Sequence, residues 1–206
     1  MPDAVLRDML ADPALPVGAT DRRLAALHEA HDHIVSRRLA AGAAASLEAA
    51  AGLVARLAAI DPALAATLRW HATLAPVLAA LPASRARNAV LGDVRRGDLL
   101  TWATSVRSWT WQDGWPPADS APIGAADGEL TLDESPALYD AVLAWDPASG
   151  VLVVVPPQRN GVSWEPAGAG WTVRLTRVTF HADEVIRVAT DPRRHPAWRD
   201  PAPRPS

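Results

Sequence analysis

A chain of 206 residues, 49% apolar and 21% charged, is long enough to bury a substantial core in one large domain or two small ones. Its net charge of −3 provides no positive field for nucleic acid or an anionic membrane. Neither Cys nor Lys occurs, which excludes disulfides, thiol nucleophiles, thiolate metal sites and Schiff-base lysine chemistry.

The N-terminus, Met1-Pro-Asp-Ala-Val-Leu-Arg-Asp8, lacks the basic and then apolar order of a secretory signal. Glu48, Arg56, Asp61 and Arg69 interrupt the longest apolar runs, so none approaches the ~20 residues of a membrane-spanning helix. A cytoplasmic protein with no membrane or nucleic-acid partner is expected.

Residues 1–97 read as a helical domain of about four helices. Asp21 caps a helix to about Ala41, with Leu24, Leu27, His31, Ile34, Val35 and Leu39 at helical spacing. Ser46 opens a second, carrying Leu47, Leu53, Val54, Leu57 and Ile60. Asp61-Pro62 places a cap before Pro at the first helical position and starts a third. That helix carries Leu64, Leu68, His71, Leu74 and Leu78, and Pro76 is expected to bend it. A fourth spans Ser84 to Arg96 and stops at Gly97.

The texture changes at Gly97, where Ala runs give way to Thr, Val, Trp, Pro and Gly. Strands are expected at Leu99–Val106, Glu129–Leu132, Ala141–Asp146, Val151–Val155, Val162–Glu165, Thr172–Phe180 and Glu184–Val188. Asp146-Pro-Ala-Ser-Gly150 reads as a hairpin loop, Trp111–Ala126 as a long loop, and His181-Ala-Asp183 as a turn. The Pro- and Arg-rich tail, 191–206, reads as disordered. The fold class is α+β: an N-terminal helical bundle (1–97), then a small, mainly antiparallel β-barrel or sandwich (98–190).

Three segments carry a resemblance to a known family. They are Arg69-Trp-His71 through Leu91-Gly-Asp-Val-Arg-Arg-Gly97-Asp-Leu-Leu100, then Ala126-Asp-Gly-Glu-Leu-Thr-Leu132, and Val173 through Thr179-Phe-His-Ala-Asp-Glu-Val185. In order and spacing, the chain resembles the N-terminal and middle domains of the acyl-CoA dehydrogenase family, with the C-terminal helical domain absent. The resemblance implies FAD, an acyl-CoA or acyl-carrier thioester as substrate, and oxidoreductase chemistry. It implies association too, as a homo-oligomer or with a dehydrogenase-like chain. Of the family's two flavin-contact motifs, the first falls on Trp102-Ala-Thr-Ser105, where Trp102, Thr104 and Ser105 are the candidates. The second falls on Asp133-Glu-Ser-Pro136, where Ser135 is the candidate. Glu-Pro and Gly-Ser are missing from the first motif, and the second is shortened. The family's catalytic carboxylate lies in its C-terminal domain, so no catalytic residue is assigned. A flavin-free interaction module is the competing reading.

Other chemistry is sparse. His28, His31 and Asp32 share a helix face, but no further ligand or second-shell partner is identifiable, so no metal site is assigned. Arg95, Arg96 and Arg107 suit either solvation or phosphate contacts. His71 reads as a core histidine. Trp102, Trp109, Trp111 and Trp115 read as filling, as a ligand wall, or as an exposed face for association around Trp102, Trp109 and Trp111.

Overall fold

Two strands without a single polar interruption organise the structure. Ala141-Val-Leu-Ala-Trp145 and Val151-Leu-Val-Val-Val155 are too apolar to have a solvent face, and a strand of that kind is stable only when both of its faces are covered. The structure is a computed structural model that describes residues 70, 73–96, 98–112, 123–194, 196 and 198. The expected helices over 21–60, the first part of the third helix with His71, the cluster at 28–33, and Trp115 lie outside the described residues.

Helix α1 is described over 73–80, with Pro76 inside it, and α2 spans Arg85–Arg96. Ser84 caps α2, its Oγ accepting from the Arg87 N–H at 3.1 Å. The Arg87 side chain reaches back to the last carbonyls of α1: its Nε donates to Leu78 O at 3.1 Å and its terminal nitrogen to Ala79 O. One residue thus closes both helix ends.

Eight strands follow: β1 Leu100–Trp102, β2 Ser105–Trp111, β3 Ile123–Leu132, β4 Ala141–Asp146, β5 Val151–Val155, β6 Val162–Ala167, β7 Gly170–His181 and β8 Val185–Arg187. They form two four-stranded sheets, ordered β1-β4-β5-β8 and β2-β3-β7-β6. Every pairing is antiparallel except β1 with β4. The first sheet is the middle of three layers. Leu100, Trp102, Leu143, Trp145, Leu152 and Val154 face the helices and meet Leu74, Leu78, Val90 and Val94. Val142, Ala144, Val151, Val153 and Val155 face the second sheet and meet Leu130, Val173, Val178 and Phe180. Each fully buried aliphatic side chain contributes roughly 1.5–3 kcal/mol.

The second sheet keeps one face in water and its strands alternate accordingly. Its outer face carries Arg107, Glu129, Arg174 and Glu165 as a cross-strand ion ladder, with Arg107–Glu129 at 3.0 Å and Arg174–Glu165 at 2.7 Å. Three of the four side chains are more than half exposed and Glu129 is 28% exposed, so the ladder sets register more than it stabilises.

Several expected boundaries shift. The single strand expected over Leu99–Val106 is broken at Ala103-Thr104, because the chain crosses there from one sheet to the other. The expected loop Trp111–Ala126 is shorter at both ends. Trp111 closes β2, and Ile123–Ala126 pairs with Val178–His181. The tail also departs from expectation. Pro192 and Trp198 are buried, and Trp198 joins the helix-side core.

Candidate functional site

The crossover from β1 to β2 brings the sequence-predicted residues to one end of the two sheets, but not in one direction. Trp102 is only 3% exposed and points to the helix side, where its ring meets Trp198 edge-on at 4.9 Å. Trp198 in turn lies 5.9 Å from Trp70. Thr104 and Ser105 lie beyond the crossover, against β3. The Thr104 N–H donates to Thr131 O at 2.8 Å, and its hydroxyl donates to the same oxygen at 3.1 Å. Thr131 Oγ1 lies 3.2 Å from Thr104 Oγ1 and 2.7 Å from Ser105 Oγ. Thr131 is the member that sequence reasoning missed. Its signal was the register that pairs Ser105 with Thr131 on one sheet face.

Proton counting shows what this cluster can do. The Thr104 hydroxyl proton is committed to Thr131 O. The Thr131 proton can then go to Thr104 or to Ser105. In the second arrangement the O–H of Ser105, an exposed residue, is free to donate outward.

The β3–β4 connection, 133–140, is held from four directions. The pre-proline position Ser135 is extended (φ −58, ψ 127), and Pro136–Leu138 form a 3-10 turn closed by Tyr139 N–H to Pro136 O at 3.1 Å. Tyr139 donates its hydroxyl to the Glu134 carboxylate across that turn. Asp140 accepts from the Leu99 N–H at 2.7 Å and returns its own N–H to Leu99 O at 2.9 Å, tying the connection to the start of β1. The connection alternates. Glu134, Pro136 and Tyr139 are buried, while Ser135 and Ala137 are half-exposed. Ser135 therefore sits on a pinned ledge, but it makes no side-chain capping bond to the turn.

The three-tryptophan surface expected around Trp102, Trp109 and Trp111 is not formed. Trp102 belongs to the helix-side core, whereas Trp109 and Trp111 pack against the core between the sheets. Their rings stand 5.2 Å apart and each lies within 6 Å of Phe180. Trp109 covers Gly128 on the neighbouring strand, where a Cβ would come within 3.2 Å of its ring. Trp111 donates its indole N–H to Asp146 at 3.0 Å, linking the end of β2 to the end of β4. Arg107 is paired to Glu129 in the outer ladder, and the side chains of Arg95 and Arg96 lie outside the described residues. Among the described residues, no three His, Asp or Glu side chains are grouped to hold a metal. None of their helices is long and apolar enough to cross a membrane.

Asp127 has its carboxyl held below the ordinary carboxylate range, first by the Arg177 backbone N–H and then by the Gln112 amide. Arg177 is the single non-glycine residue with positive φ among the described residues (φ 49), at a bulge where two residues of β7 oppose one of β3. This is a structural site rather than a chemical one.

No protein-family model matches the sequence, and no curated protein matches it either. Solved structures do match. FkbI for biosynthesis of the methoxymalonyl extender unit of the polyketide immunosuppressant Fk520 is 20% identical and has a TM-score of 0.57, over 90% of this chain and 57% of its own. The ChsE4–ChsE5 complex from Mycobacterium tuberculosis is 14% identical with a TM-score of 0.63, over 90% and 55%. TdsC from Paenibacillus sp. A11-2, solved with FMN and indole, is 16% identical with a TM-score of 0.59, over 90% and 51%. The chain spans little more than half the length of each. The likeness is one of fold, and it supports the acyl-CoA-dehydrogenase-type architecture.

Proposed function

We propose that this chain is a component of an acyl-CoA-dehydrogenase-type flavoprotein oxidoreductase acting on acyl thioesters, with residues 1–97 as its helical domain. The observation that carries the reading is the pairing of the Thr104–Ser105–Thr131 hydroxyl set with the pinned 133–140 connection. Both lie where the family resemblance puts its two flavin-contact motifs. The donor set fits an isoalloxazine edge, whose carbonyls and ring nitrogens take hydroxyl and amide donors. Glu134 is turned inward onto Tyr139 and Asp140 onto the Leu99 N–H, which leaves Ser135 as the half-exposed hydroxyl of this connection. A bound flavin would supply the two-electron acceptance that these side chains lack. Their own part is to hold and orient it.

A second chain is part of the proposal, since one structural neighbour was solved as a complex of ChsE4 with ChsE5. Binding by this chain alone is expected to be no tighter than about micromolar, a level that requires ~8 kcal/mol. Titration with FAD and with FMN, followed by flavin fluorescence, tests it. Thr131→Val keeps the shape, removes the hub of the hydroxyl set, and should weaken binding about tenfold, the loss of one to two hydrogen bonds. If neither flavin binds, alone or with a co-expressed partner, the chain is a flavin-free interaction module instead.

A further inference from the structure

The β3–β4 connection contains a buried polar pair that the proposed chemistry does not use. Glu134 is 7% exposed and Tyr139 4%, and the Tyr139 hydroxyl donates to the Glu134 carboxylate. Burying a carboxylate and a phenol costs free energy that an apolar pair of the same size would avoid. Polar pairs of this kind can select one conformation over others. What this pair spans is short and specific. It joins residues five apart in sequence, closing a ring around Ser135, Pro136, Ala137 and Leu138. Inside that ring, the Tyr139 N–H to Pro136 O bond fixes the turn, and Pro136 fixes its own φ. Outside it, Asp140 clamps the connection to Leu99. Ser135 and Ala137 are half-exposed on the ring.

We propose that Glu134 and Tyr139 are positioning residues: their hydrogen bond bolts the 133–140 connection into one shape before any ligand arrives, so that Ser135 and the backbone beside Ala137 form a preformed ledge for the flavin. The ligand half of this inference rests on the flavoprotein reading; the bolt itself does not. A preformed ledge spares the flavin the cost of ordering a loop, which is how preorganisation raises affinity. It also accounts for the sequence. A shortened connection with no regular strand still gives a fixed edge when a proline, a 3-10 turn and a buried hydrogen bond replace the missing ladder.

The test uses Tyr139→Phe, Glu134→Gln and the double variant of the full chain, with two readouts. The first is amide exchange of residues 135–140 in flavin-free protein. Tyr139→Phe should speed exchange of the Tyr139 N–H about tenfold or more, the loss of one buried hydrogen bond. Glu134→Gln retains an acceptor oxygen for the Tyr139 hydroxyl and should stay within about threefold of the parent. The double variant should match Tyr139→Phe rather than exceed it, as coupled partners do. Val153→Ala, in the core between the sheets, serves as a control that lowers global stability without speeding these amides selectively. The second readout is the FAD and FMN dissociation constant, which should weaken in Tyr139→Phe and be preserved in Glu134→Gln. Unchanged exchange at Tyr139 in the Phe variant overturns the bolt. Faster exchange with an unchanged flavin constant overturns the ledge. A parent that binds neither flavin overturns the flavoprotein reading, and with it the ledge, while the exchange data still decide the bolt.

Discussion

Gly161 and Gly168 flank β6 in turns of left-handed backbone, with φ of +85 and +61, and differ in what surrounds them. A Cβ at Gly168 meets nothing within 4 Å. At Gly161 it would lie well under 3.0 Å from Thr176 O and within 3.2 Å of Val178. Gly168→Ala therefore isolates the backbone term. An L side chain in the left-handed region costs roughly 1–2 kcal/mol. The stiffer unfolded chain returns roughly 0.4–1 kcal/mol, leaving a net cost of about 1 kcal/mol. Gly161→Ala incurs the same cost and adds the clash. Relief requires moving β6 away from β7, which weakens the Thr176 N–H to Gly161 O bond, now 2.8 Å long. That bond is worth about 1 kcal/mol and the overpacking roughly 1–3 kcal/mol, for a total of roughly 3–5 kcal/mol. Urea unfolding followed by tryptophan fluorescence and far-ultraviolet dichroism measures both variants. Equal costs at the two positions would refute the steric argument. The pairing of β6 with β7 beside Gly161 would then have enough freedom to absorb a methyl group.

Two further outcomes are expected. Trp198→Ala removes the edge-on contact with Trp102 and the contact with Trp70. A core Trp→Ala costs roughly 3–5 kcal/mol, but freeing Trp198's own backbone returns about 1–2 kcal/mol, so a net loss of about 2–3 kcal/mol is expected. It should come with new protease cutting after Asp191, and unchanged cutting would contradict the docking. At low pH the relevant group is Asp127, whose folded-state affinity for a proton is depressed. Its stabilising contribution is therefore fully present above about pH 4 and is lost as pH falls through the lower folded value. The Arg177 amide resonance should titrate with a midpoint below 3.8, and in Asp127→Asn it should not.

How far the sequence disclosed this structure depends on the segment. Ala141–Asp146 and Val151–Val155 were legible residue for residue, because continuous apolar runs between turn residues allow few other readings. The end of α2 was legible in Ser84 and Gly97 for the same local reason. What failed needed information from elsewhere in the chain. Gly124–Gly128 is Gly, Ala and Asp, poor strand residues, and it is a strand because β7 pairs with it. Trp102, Trp109 and Trp111 look alike in sequence. They separate into different cores because the crossover at Ala103-Thr104 changes both the sheet and the facing direction. Of the candidate flavin contacts, Thr104 and Ser105 come together around Thr131. Ser135 lies on the next connection, and Trp102 is withdrawn into the helix-side core. The docking of Trp198 could not be read from a Pro- and Arg-rich tail, whose composition says nothing about the two tryptophans waiting for it.

The burial of β5 on both faces has a consequence for how the chain is made. Val151-Leu-Val-Val-Val155 has no charge, no proline and the highest strand preference in the protein, which is the makeup of a self-associating segment. In the finished fold it is harmless, bordered by β4 on one edge and β8 on the other. During synthesis β4 is already available, whereas β8 emerges some thirty residues later. For that interval one edge of the stickiest strand is open and can pair with another nascent copy. Expression yield should therefore respond most sharply to changes that delay β8, such as weakening the Arg159–Glu184 pair that anchors the turn leading into it. Slower translation across residues 156–184 should depress yield without altering the stability of the protein that does fold.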